Sequence, residues 1–416
     1  MSMDTTIGRR TAIKLGLAGA ATALAPRRAR AQNPKEVKIA LVVPLSGPWA
    51  RQGILEQMGA ELAIDDVNNS GGIKALGGAK LKLVLYDTGD TAEKAKNAAQ
   101  RLVAQEPDVV GGIGSWLSSF TLAVTEVTER AELPWLTLSY SDLITGRGFK
   151  YIFQTAPTAE TQATALLPRI VDLATKSGGA KPTKVAFVGD NSASSVSFMK
   201  AIRGGVAKDL GLTIVADEVF TPPLADATTL VQKIRSGRPD FIVMQSTNVG
   251  DDKLLLDKFA ERGITASTIP LVGGGGHWTV PELAKVAGTE HLEGVIVGLA
   301  NWPGKTLGDL EKRFMAKTNE PWFGHDSIFP YAHVMIFKEA LERTASTDRR
   351  KLGETLHKID LKDGPARYFP DGRVKFGENG RRVGAELCIV QWQKGRPVAV
   401  HPDNIAVSKA VWPKLS

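Results

Sequence analysis

The sequence predicts an α/β protein of two lobes, each a doubly wound parallel sheet. From Lys38 onward, strand-like apolar runs alternate with apolar residues at helical spacing, and serial βα units force parallel sheets with helices on both faces. The alternation starts afresh after Thr155-Ala156-Pro157, so two such sheets are expected. The chain has 416 residues, 43% of them hydrophobic. That is a globular composition, long enough for two to three domains or one bilobal body.

The first strand is Val37–Val43, a continuous apolar run stopped by Pro44, as expected of a parallel strand covered on both faces. Ile54, Met58, Leu62 and Val67 then lie on one helical face, and Asn68-Asn69-Ser70-Gly71-Gly72 ends the helix. Leu81–Tyr86 is the next strand. Asp90 followed by Glu93 predicts a capping box for a helix to Gln105. Val109–Ile113, a helix through Arg130 and the strand Trp135–Leu138 complete the first series. The second series has strands Val185–Val188, Thr213–Val219, Phe241–Met244 and Ile269–Val272. Pro370-Asp371-Gly372 and Glu378-Asn379-Gly380 are turn signals in a β-rich tail that ends with Ala385–Trp392 and returns to one lobe.

The net charge of +8 suggests a nucleic-acid partner at first sight, but the first 31 residues contribute +5 of it and leave +3 for the rest. No basic cluster with interleaved aromatics remains to follow phosphates, so nucleic acid is not an expected partner. The uncharged apolar run near the N-terminus, Leu15–Ala25, has 11 residues, against the roughly 20 that a membrane-spanning helix needs. The N-terminus instead has the three parts of an export signal: basic Arg9-Arg10, a moderately apolar stretch and Ala29-Arg30-Ala31 for cleavage. The arginine pair followed by Ile13-Lys14 resembles a twin-arginine signal. Residues 1–31 are therefore expected to be removed near Ala31, and the mature chain to work in the periplasm.

Chemistry of the catalytic kind is missing. Cys388 is the lone cysteine, in a strand-like run, which excludes an intrachain disulfide and a thiolate metal cluster. The six histidines show no metal-ligand spacing, and His325 and His333, eight apart on one predicted helix, read as core or surface residues. Neither a GxSxG elbow nor a GxxxxGK[ST] loop occurs. Gly111-Gly112-Ile113-Gly114 lacks the spacing of a dinucleotide fingerprint, and Gly273–Gly276 reads equally as a flexible loop or a close backbone approach. No metal, cofactor or enzymatic activity is expected.

Hydroxyls just after strands are what stand out. Ser115, Ser118 and Ser119 follow one strand, and Ser139, Tyr140 and Ser141 the next. In the second series Ser192, Ser194 and Ser195 follow Val185–Val188, and Ser246, Thr247 and Asn248 follow Phe241–Met244. Open α/β sheets bind ligands outside the carboxyl ends of their strands, and a helix N-terminus beside a hydroxyl suits a carboxylate. Each serine alone reads as well as a helix cap. Together they describe a cleft that grips a small polar solute without acids, bases or metal.

Ile39–Pro48 with Gly53, Asp65-Asp66-Val67-Asn68 before Gly71-Gly72-Ile73, Tyr86-Asp87, Ile113-Gly114 leading to Ser118-Ser119, and Gly146-Arg147-Gly148 before Phe153 form an ordered series. In it the chain resembles the periplasmic leucine/isoleucine/valine-type binding proteins of ABC transporters, over roughly Lys38 to Gln393. The resemblance implies a type I periplasmic binding fold with three crossovers, near Thr155–Thr158, Val297–Trp302 and Gly364–Phe369. Lobe 1 would comprise residues 32–156 and 301–363, and lobe 2 residues 157–300 and 364–416. The implied function is capture of a small carboxylate-bearing solute by hinge closure and its delivery to a membrane permease and ATPase, by a monomer. A ligand sensor of the same fold is the alternative, and a periplasmic enzyme would need a base–nucleophile pair that is not found.

By the same resemblance Ser118 holds the ligand carboxylate, with Ser119 beside it. Ser141 holds the α-substituents, and Ser139 and Tyr140 supply backbone contacts. The second lobe departs from the family pattern. Ser194 stands where a tyrosine is usual, Thr247 lies near another aromatic position, and the acid that pairs with the ligand ammonium falls near Gly275, beside His277 and Trp278. Trp49 and Trp116 are candidate apolar walls, each equally a core residue. Asp142 and Asp190 are the nearest acids at strand ends. The ligand is accordingly expected to be a larger or aromatic carboxylate lacking the amino group, or an amino acid if Asp190 replaces the missing acid.

Overall fold

A computed structural model describes residue 1 and residues 34–177 and 180–412. The expected export signal and its cleavage site lie outside the described residues, apart from residue 1. Five strands make the first sheet: β1 (Glu36–Val43), β2 (Lys80–Asp87), β3 (Val109–Gly114), β4 (Trp135–Thr137) and β5 (Ile152–Gln154). They pair in the order β2-β1-β3-β4-β5, all parallel. The second sheet begins with β6 (Lys184–Asp190), β7 (Thr213–Phe220), β8 (Phe241–Gln245), β9 (Leu271–Gly274) and β10 (Ile296–Leu299). These repeat the first order as β7-β6-β8-β9-β10. A short ribbon of β11 (Asp360–Leu361) and β12 (Val374–Lys375) precedes the hairpin β13 (Cys388–Gln393) and β14 (Arg396–His401), which adds to β10 antiparallel.

The strands arise where continuous apolar runs can be covered on both faces. Residues 39–43 are at most 1% exposed, with helices packed over them. The Ala50–Asn69 helix crosses the His325–Thr344 helix at Gly59, where a Cβ would lie 2.0 Å from the Ser327 carbonyl oxygen. Only glycine permits that approach. The Ala92–Gln105 helix starts one residue later than the capping box predicts. Thr91, in extended conformation, caps it by accepting from the Lys94 N–H, and Asp90 instead pairs with the Lys94 ammonium.

The apolar interior divides between the two sheets. The first core holds Ile39, Phe120, Trp135 and Phe337, and the second sheet is covered on its two faces by cores around Trp278 and Phe187. The chain leaves the first sheet after β5 and returns after β10. Its third passage differs from the expectation of Gly364–Phe369. Tyr368, Phe369 and Phe376 still belong to the first core, stacked edge-on against Tyr331, Phe329 and Phe153. Arg381 also bridges to Gln154 beside β5. The passage follows Arg382, because the aromatic residues before it are needed to cover the edge of the first sheet. Among the described residues no helix is long and apolar enough to cross a membrane.

Candidate functional site

The parallel strands of each sheet reverse their order once, between β1 and β3 and between β6 and β8, and crevices open at such switch points. A cavity of about 500 Å3, including its mouth, lies where the two sets of carboxyl ends face each other. Trp116, Ser118 and Tyr140 line it from the first lobe, and Ser194, Thr247 and Gly275 from the second.

Ser118 opens the Ser118–Arg130 helix, whose N-cap residue Leu117 provides no side-chain cap. Its hydroxyl oxygen accepts the N–H groups of Tyr140 and Ser141, each at 3.1 Å. With both lone pairs used, its proton is left to donate to a neighbour. A donor at an uncapped helix start is a suitable seat for an anionic oxygen. Just before it, Ser115 and Trp116 adopt φ of 70° and 38°, a costly conformation for non-glycine residues. It carries the Trp116 indole to Asp326, where Nε1 donates to Oδ1 at 3.0 Å.

Ser118, Ser139, Tyr140, Ser194, Thr247 and Gly275 all line the cavity. Ser139 is already committed there: its hydroxyl donates to the Trp116 carbonyl at 2.7 Å and lies 2.6 Å from that of Thr121. Ser119 and Ser141 do not line it but cross from lobe to lobe. Ser119 accepts the Ala193 N–H at 3.3 Å, and the hydroxyls of Ser141 and Ser197 are 3.0 Å apart. Trp49 lies in the first core, edge-on to Phe120 at 5.5 Å, and Trp278 is fully buried beneath Gly273. Both are core residues rather than walls, because each is buried among apolar side chains of its lobe and neither lines the cavity. Asp142 and Asp190 also stay out of the lining. Asp142 accepts from the Glu160 N–H, and Asp190 from the Ser192 N–H and the Thr247 hydroxyl.

The lining contains no Asp, Glu, Lys or Arg. Its titratable members are Tyr140, His277 and His325. Burial lowers both histidines to about 3, His277 also through His325, so both are neutral imidazoles near pH 7. Tyr140 donates to or accepts from His325 Nε2 at 2.9 Å, and burial raises its phenol well above the ordinary range. Among the described residues no three His, Cys, Asp or Glu side chains gather as a metal site requires.

Behind Trp116, burial raises Asp326 from 3.8 to about 7, with the indole hydrogen bond and the more distant Arg51 opposing it. The folded protein thus keeps a proton that the unfolded chain releases near pH 4, and stability falls as pH rises from about 4 to 7. Asp326→Asn keeps the acceptor for Trp116 without that loss. It should match the parent protein near pH 4 and exceed its stability by at least about 1 kcal/mol at pH 8. Denaturant midpoints at the two pH values measure this, and equal midpoints at pH 8 would refute it.

Sequence reasoning placed His325 in the core or on the surface, and it passed over Gln245. Both line the cavity, His325 from the first turn of its helix and Gln245 from the last residue of β8. The position of Gln245 at a predicted strand end was an available signal. For His325 there was none, because its cavity neighbour Tyr140 is 185 residues away.

The curated Leu/Ile/Val-binding protein homolog 8 of Brucella melitensis is 29% identical over 388 residues, 90% of this chain and 92% of its own. Among solved structures, the branched-chain amino acid transporter substrate-binding protein LivJ of Streptococcus pneumoniae, in complex with isoleucine, superposes with TM-score 0.73. It is 22% identical, and the match covers 88% of this chain and all of that one. A solute-binding protein of R. palustris in complex with benzoate gives TM-score 0.72 at 18% identity, over 91% and 98% of the two chains. At these identities the structures establish the fold, that of the type I periplasmic binding proteins, and the relatives are binding proteins rather than enzymes. The model of the periplasmic binding protein family matches residues 36–397, which takes in the first sheet, the second as far as the start of β14 and every wall of the cavity, and the chain belongs to that family.

Proposed function

We propose that the protein is the extracytoplasmic solute-binding component of an ABC importer, closing its lobes on a small carboxylate with an apolar body and delivering it to a membrane permease and its ATPase. The observation that carries the ligand class is the wall itself. Ser118 offers a hydroxyl proton at an uncapped helix start, and Leu117, Leu138 and Phe198 supply apolar surface. No carboxylate lines the cavity to neutralise an ammonium, and a buried unpaired charge costs several kcal/mol. A carboxylate without an α-amino group therefore fits best. A branched-chain amino acid is the second reading, favoured by the names of the Brucella relative and of LivJ with its isoleucine. The benzoate complex of the R. palustris protein is a precedent for the first.

Calorimetry with leucine, 4-methyl-2-oxopentanoate and benzoate tests this. One of the two acids lacking an amino group should bind more tightly than leucine, and leucine binding tightest would establish the second reading. Ser118→Ala should weaken the bound acid by about 1.5–3 kcal/mol, the range for a hydrogen bond to a charged group. Wild-type affinity in that variant would remove Ser118 from the site.

A further inference from the structure

The two ring nitrogens of His277 have different surroundings. Nε2 is sealed away 3.4 Å from Asp252 Oδ2, and neither atom has a hydrogen-bond partner among the described residues. Nδ1 lies on the side of Gly275, a cavity residue, where a Cβ would come within 3.1 Å of it. The other Asp252 oxygen accepts the Ser246 hydroxyl. Both side chains are buried, Asp252 at 0% and His277 at 3% exposure.

Two unpartnered buried atoms facing each other must share a proton, and its owner decides what the cavity sees. An ionised Asp252 would accept Nε2–H and leave Nδ1 as a bare acceptor. A protonated Asp252 would donate to Nε2, and the ring's own proton would then sit on Nδ1. The charged groups that bear on Asp252 are Asp190 and Asp251, both of like sign, and His325 bears on His277 from the opposite lobe. Burial among like charges disfavours the ionised carboxylate.

We infer that Asp252 is a carboxylic acid that donates to His277 Nε2, fixing the imidazole as its Nδ1–H tautomer and making it a neutral hydrogen-bond donor to the bound solute. Asp252 is then a positioning residue and His277 a specificity-determining one. The inference rests on the cavity being the solute site and deepens that reading. The solute carries an oxygen acceptor that meets the second lobe, and a group that can only donate, such as an ammonium, is rejected there.

The tautomer can be read without any ligand. Long-range 1H–15N spectra of the ligand-free protein, with His277 identified by its loss in His277→Asn, should show a protonated Nδ1 and a bare Nε2. Asp252→Asn should leave that pattern unchanged, because its amide N–H donates to Nε2 while its carbonyl accepts from Ser246. A protonated Nε2 in the parent protein, or a swap of tautomer in Asp252→Asn, would overturn the inference. In binding, His277→Asn presents an amide N–H in place of Nδ1 and should hold 4-methyl-2-oxopentanoate within about threefold of the parent affinity. His277→Gln, which mimics Nε2 instead, should lose about tenfold, the equivalent of one hydrogen bond. Equal affinities in the two variants would also overturn it. Where the parent protein binds benzoate instead, the same two variants are read with benzoate; should it bind neither acid, the solute reading fails while the spectra still decide the tautomer.

Discussion

Arg382→Met should destabilise the protein by about 3–5 kcal/mol, the cost of breaking a buried ion pair from one side. The guanidinium is fully buried and Asp371 is 10% exposed. Nη1 reaches the Asp371 carboxylate at 2.5 Å and the Arg373 carbonyl at 3.0 Å, and Nε donates to the Thr155 carbonyl at 2.6 Å. Its flat face lies 4.4 Å from the Phe369 ring centre. One side chain thus joins the segment leaving β5, the turn at Asp371 and the last residues before the chain passes to the second sheet. Methionine keeps much of the stem but leaves Asp371 as a buried, uncompensated charge. The double variant Arg382→Met/Asp371→Asn should regain part of the loss. Equilibrium unfolding measures both, and a loss below about 1 kcal/mol for the single variant would show an ordinary surface pair.

Gly276→Ala should weaken solute binding by at least about fivefold while leaving the melting temperature closer to the parent than Arg382→Met does. Gly276 follows β9 in the second lobe, and its new Cβ would lie 2.4 Å from His325 Cδ2 and 2.8 Å from Asp326 Oδ1. Both neighbours begin the His325–Thr344 helix, whose body packs in the first core. An imidazole bonded to Tyr140 and a carboxyl bonded to Trp116 cannot swing away freely. Overpacking costs about 1–3 kcal/mol. Under the proposed hinge motion it falls on the closed form alone, and 1.4 kcal/mol is already a factor of about ten in affinity. Calorimetry on the acid that the parent protein binds reads the change. Unaltered affinity would mean that the lobes hold solute without this contact.

The alternation of apolar runs and helical spacing by itself determined the two parallel sheets, since burial on both faces leaves a local mark on each strand. Val37–Val43 and Phe241–Met244 were legible for that reason. The short β5, the strand β10 and the hairpin partner β14 were not singled out, because three to six residues hold too little pattern to stand out beside a turn. The hydroxyls after the strands were equally visible. The parallel topology brings such ends together, and most of the residues expected at the ligand line the cavity.

Which of those hydroxyls is free to act was decided only in three dimensions. Ser118, Ser119, Ser139 and Ser141 look alike in the sequence. Their partners make one a donor with a spare proton, one a committed network member and two a link between the lobes. The rest of the site follows the same rule. Asp252 and His277 meet across a helix and the strand β9, Tyr140 and His325 across 185 residues, and Arg382 and Thr155 across 227. Periodicity reports whether a side chain is buried, which depends on its own element. What a buried polar group does depends on who takes its protons and lone pairs, and those partners are chosen by packing between elements far apart in the chain.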